Sequence, residues 1–66
     1  MNVADVAKAV KQIRRCAADA EKAHGLEDAL WESVLEAIAG GEVDNPEAVC
    51  LEALKTRKIN FARWYA

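Results

Sequence analysis

Glu21, His24 and Asp28 stand at steps of three and four, which on one unbroken helix would align a carboxylate, an imidazole and a second carboxylate. Such a donor set suits a divalent metal. Gly25 falls inside it, however, and the left-handed cap that a glycine offers would end the helix there and separate the three side chains. No metal site is expected on that reading, and His24 is expected at a helix C-terminus, where the dipole favours an imidazolium. Cys16 and Cys50 are the two thiols; they share no reactive-thiol motif and read as small buried hydrophobes. General acid–base work needs a pocket that holds titratable groups with shifted pKa, and so short a chain has little interior to form one. The sequence thus points away from an enzyme and names no catalytic residue and no cofactor.

The last six positions hold Phe61, Trp64 and Tyr65, three of the four aromatic residues. Lys55, Arg57, Lys58 and Arg63 interleave with them. Basic groups among stacking rings are what a single-stranded nucleic acid binds. The charge map argues against that partner. Residues 1 to 25 carry a net +2, residues 26 to 52 carry eight acidic and no basic groups, and residues 53 to 66 carry +4. The acidic segment would repel phosphates, so nucleic acid is disfavoured and a protein with a basic surface is preferred.

These side chains need elements to position them. At 66 residues the chain is one domain, 1 to 66, and a single core of that size is marginal. No apolar run reaches the length of about 18 residues that a bilayer span requires. The charged start of the chain reads as no signal peptide, and two unbridged thiols fit a reducing, cytoplasmic setting.

Asn2 is an N-cap candidate with Asp5 at the third helical position, and Met1 can staple onto Val6. Val3, Val6, Val10, Ile13, Ala17, Ala20 and His24 then recur at three and four, predicting a first helix that ends near His24 at Gly25. A second helix follows from Leu26 to the Gly40-Gly41 pair, antiparallel to the first; one long helix interrupted at Gly25 is the alternative. A third starts at Asp44 with Glu47 as box partner, or at Asn45 with Pro46 in the first turn. Asn60 is a last cap candidate, with Ile59 stapling onto Trp64 across a short terminal helix. No strand-like alternation interrupts this pattern. The expected fold is all-α: a small bundle of three helices plus a short C-terminal helical turn. The apolar seam of Val3, Val6, Val10, Ile13, Ala17 and Ala20 is expected to join two copies in a homodimer.

Several stretches, Ala23-His24, Glu27-Asp28, Val34 to Gly40, Glu52 to Arg57 and Ile59 to Ala66, together resemble a group of short helical orphan proteins carried by phages, prophages and bacterial accessory loci. The resemblance runs from Ala23 to the end of the chain and leaves helix one outside. It implies no catalytic role. What it implies is a setting in which small proteins bind and block a host protein, such as a defence nuclease or a regulator. The functional expectation is therefore a protein-binding module that acts by occlusion. Its contacts would come from Glu27, Asp28, Trp31, Glu32 and Glu36 on helix two and from Lys55, Arg57, Lys58, Arg63 and Tyr65 near the C-terminus. A small nucleic-acid-associated regulator and a structural phage component are the alternatives.

Overall fold

A computed structural model describes residues 1–63; Trp64, Tyr65 and Ala66 lie outside the described residues. The chain forms α1 (Val3–Arg15), α2 (Ala20–Ala39), α3 (Pro46–Leu54) and a 3-10 turn over Lys55–Lys58, with no strand among the described residues. The all-α, three-helix expectation holds.

α1 begins as its sequence demands. Asn2 Oδ1 accepts from the Asp5 N–H at 2.9 Å while Asp5 Oδ2 accepts from the Asn2 N–H at 3.0 Å, a closed capping box that satisfies two otherwise orphaned donors. The helix stops at Arg15, not at His24. Residues 16–19 turn the chain, with the Asp19 N–H donating to the Cys16 carbonyl at 2.9 Å. Asp19 then caps α2 by accepting from the Lys22 N–H at 3.2 Å. Gly25 is therefore interior to α2 and has no left-handed conformation. A helical glycine costs about 1 kcal/mol relative to alanine. The buried stripe Ala23, Glu27, Leu30, Val34, Ala37 outweighs that penalty. Both readings of the Gly25 region, a cap or one interrupted long helix, are thus corrected: the reversal lies at 16–19, and the three-and-four spacing continues across it.

α2 ends where two glycines allow it. Gly41 has φ 71°, its N–H donates to the Ile38 carbonyl at 3.0 Å, and the Glu42 N–H donates to Ala37 at 2.9 Å. This is a Schellman closure, for which the left-handed residue is best a glycine. The N-terminal ammonium of Met1 donates to the Glu42 carbonyl at 3.2 Å, which sets the start of α1 beside the end of α2. The two helices are antiparallel, as the short connection implied. At α3 the second of the two cap readings is realised: Asn45 Oδ1 accepts from the Ala48 N–H at 3.1 Å, with Pro46 opening the helix.

Val6, Val10, Ile13, Ala23, Leu30, Val34, Val49, Ala53, Ile59 and Phe61 form one core cluster. Cys16 and Cys50 are free and partly buried, packed against it. The seam residues Val6, Val10 and Ile13 are consumed inside the chain, which removes the expected reason for a second copy to cover them. The helical turn of the C-terminal region lies at Lys55–Lys58, before Asn60, because α3 tightens directly into it. Asn60 to Arg63 carry no helix, so Asn60 caps nothing within the described residues. The Ile59–Trp64 staple involves a residue outside them.

Candidate functional site

The polar centre of the molecule lies where the C-terminal segment returns to the middle of α2. Glu27 sits in the core stripe of α2 and is 6% exposed. Arg63 meets it in a two-pronged contact, Nε to Oε1 at 2.9 Å and Nη2 to Oε2 at 3.1 Å. Such fork-to-fork pairs are the strongest of the ordinary ion pairs. The guanidinium also donates to the Thr56 carbonyl at 2.6 Å and to the Phe61 carbonyl at 3.3 Å, and it lies 3.8 Å from the centroid of the Phe61 ring. Thr56, fully buried, donates its hydroxyl to the Ala53 carbonyl at 3.1 Å and accepts the Trp31 indole N–H at 3.1 Å. Burial alone would raise the Glu27 pKa. Hydrogen bonding from Arg63, with the charge of its guanidinium close by, overrides it and holds the carboxyl below the usual glutamate value.

This arrangement closes the fold. A hollow of about 450 Å³ beside it is lined by Glu27, Asp28, Trp31, Arg57 and Arg63, and within that lining Glu27 and Arg63 pair with each other. With α2 continuous, His24 Nε2 does face Asp28 Oδ2 one turn on, at 3.5 Å. Even so, no group of three or more His, Cys, Asp or Glu side chains converges as a metal site among the described residues.

The expected partner-binding residues divide. Glu27 and Arg63, expected on the outer surface, are turned into the node, and Trp31 is partly buried beside them. Lys55 pairs with Glu52 at 2.8 Å. Asp28, Glu32, Glu36, Arg57 and Lys58 are exposed; Tyr65 lies outside the described residues. Of the expected self-association residues, Val3 is exposed, Ala17 and Ala20 are partly buried, and the other three are core.

Sequence reasoning missed the exposure of three leucines. Leu35, Leu51 and Leu54 are 68%, 60% and 44% exposed, although each looked like part of an apolar stripe. In α3 the inward positions are Val49, Ala53 and then Thr56, and Leu51 and Leu54, three apart, occupy the opposite face. The signal was available: apolar residues surround α3 on all sides, whereas a helix packed on one side needs only a stripe. On α2, Leu35 lies one turn beyond Trp31, whose indole N–H reaches Thr56 of the 3-10 turn. Leu54 also lines a shallow hollow with Arg57 and Lys58. A leucine gains no more helix propensity than lysine or glutamate, so propensity alone does not account for three of them in water.

No helix is long and apolar enough to cross a membrane among the described residues. Comparison with protein-family models, curated proteins and solved structures finds no match to this chain.

Proposed function

We propose that this chain is a small protein-binding module that acts by covering a working surface of its partner, in the phage or prophage setting its sequence resembles. The observation that carries this reading is the exposure of Leu35, Leu51 and Leu54, which is greater than that of any other large hydrophobic side chain among the described residues, Met1 and Val3 included. Apolar anchors ringed by charge are how compact interfaces are built. Here Arg57 and Lys58 line a hollow with Leu54, Asp28 is exposed on α2, and Lys55 is held by Glu52. The partner would present an apolar patch of its own, flanked by charges of both signs.

The nucleic-acid alternative is weakened by the fate of Arg63. Its guanidinium is committed to Glu27, Thr56 and Phe61, which leaves Arg57 and Lys58 as the exposed basic pair beside Leu54.

The test is capture from bacterial lysate by immobilised chain, run beside Leu35→Lys and Leu51→Lys. Both positions face water, so each variant should keep its stability within the small range typical of surface changes, about ±0.5 kcal/mol. Loss of one and the same captured protein with both variants supports the proposal. Undiminished capture by both contradicts it, and salt-sensitive retention of random nucleic acid by the native chain would favour the alternative.

A further inference from the structure

A second apolar feature lies on the other side of α2. Met1, Val6, Ala9 and Ile13 of the α1 side and Leu26, Ala29 and Leu30 of α2 line an open groove of about 300 Å³. Ala29 is exposed and Ala9 only partly buried, so the floor is low enough for another helix to approach closely. The two rims differ in sign. On the α1 side the lining carboxylate of Asp5 is outweighed by Lys8, between Asp5 and Gln12 at steps of three and four, with Lys11 and Arg15 beyond it. On the α2 side Lys22, four residues before Leu26, is outweighed by Glu32 and Glu36, each three residues after a lining residue; all seven charged residues are exposed.

We infer that this groove is the seat of a second copy of the same chain, in a two-fold dimer whose axis runs parallel to α1 and α2. The charge pattern selects both occupant and geometry. A two-fold along the helices lays α1 of each copy over α2 of the other, antiparallel, so that each basic rim meets an acidic one and Lys8 faces the Glu32 region of the second copy. A two-fold across the helices would instead set α1 on α1 and bring the lysines together. Like charges in such proximity oppose association, and a two-fold interface must be complementary to itself. The result is a four-helix layer with Ala9 and Ala29 at its centre, a packing that small residues permit. It replaces the core seam of Val6, Val10 and Ile13 as the route to a dimer. The surface is distinct from the Leu35, Leu51 and Leu54 face, so the two proposals stand or fall separately.

Sedimentation equilibrium over a micromolar concentration series tests it. The native chain should approach twice its 7.2 kDa mass. Lys8→Glu and Glu32→Lys should each weaken the dimer about tenfold or more, and the double charge swap should restore it to near the native value. Ala29→Lys should yield a monomer with unchanged helicity by circular dichroism. A native chain that remains monomeric at high micromolar concentration overturns the inference. So does a dimer indifferent to Ala29→Lys, or a double swap no tighter than either single one.

Discussion

Trp31 on α2 donates its indole N–H to the Thr56 hydroxyl at 3.1 Å, and that hydroxyl donates onward to the Ala53 carbonyl at 3.1 Å. One side chain with no exposed surface thus ties the 3-10 turn to α2 and to the last turn of α3. The turn positions the Thr56 carbonyl for Arg63, so the chain from Leu54 to Arg63 is held by a connected polar network built on an apolar floor of Ile59 and Phe61.

Thr56→Val keeps the volume and deletes both bonds. Leaving the part-buried indole N–H without its partner costs about 1–3 kcal/mol. Chemical denaturation should show that loss, whereas Thr56→Ser, which retains the hydroxyl, should lose less. Equal midpoints for the Thr56→Val variant and the native protein would mean that the hydroxyl contributes nothing.

Two glycines should answer an alanine substitution with opposite signs. At Gly25 a Cβ meets nothing within 4 Å, and the residue is helical, so Gly25→Ala should stabilise by about 0.5–1 kcal/mol. At Gly41, φ 71° makes any side chain strained, and Gly41→Ala should destabilise by about 1–2 kcal/mol. A destabilised Gly25→Ala protein would return the helix end to Gly25.

Glu27 makes stability depend on acid. Its folded pKa is depressed, so its contribution is complete above the ordinary glutamate value, about 4.3, and is lost as pH falls through the lower folded value. Melting temperature should decline below about pH 5, and Glu27→Gln should flatten part of that decline. An identical pH profile in the variant would remove Glu27 from the acid response.

The local signals in the sequence were sound where one residue decides the outcome: the Asn2–Asp5 box, Asn45 before Pro46, and the Gly40-Gly41 stop all act within a few residues of themselves. The α1–α2 reversal was illegible because Ala17 and Ala20 continue the apolar period through the turn, while Asp19, the true cap, is one polar residue among many. Glu27 could have been read, since Ala23, Glu27, Leu30, Val34 and Ala37 follow steps of four and three. Its partner could not. Arg63 is 36 positions away, and no local rule links the two. The exposure of Leu35, Leu51 and Leu54 likewise depends on how the helices are arranged, a property of the packed bundle and not of any one segment.

The chain end through Arg63 belongs to the fold, fastened at Glu27, and is not a free binding arm. A double-mutant cycle in urea puts that fastening to the sharpest trial. Arg63→Met alone strands a buried carboxylate and should cost about 3 kcal/mol, the low end of roughly 3–5 kcal/mol for breaking a buried pair, because the Arg63 side chain is 26% exposed. Replacing both partners, Glu27→Leu with Arg63→Met, leaves no charge stranded and should recover most of that loss. A coupling of about 1–3 kcal/mol between the two sites is predicted; additive single effects, or an Arg63→Met protein as stable as the native one, would mean that the pair does not hold the chain end.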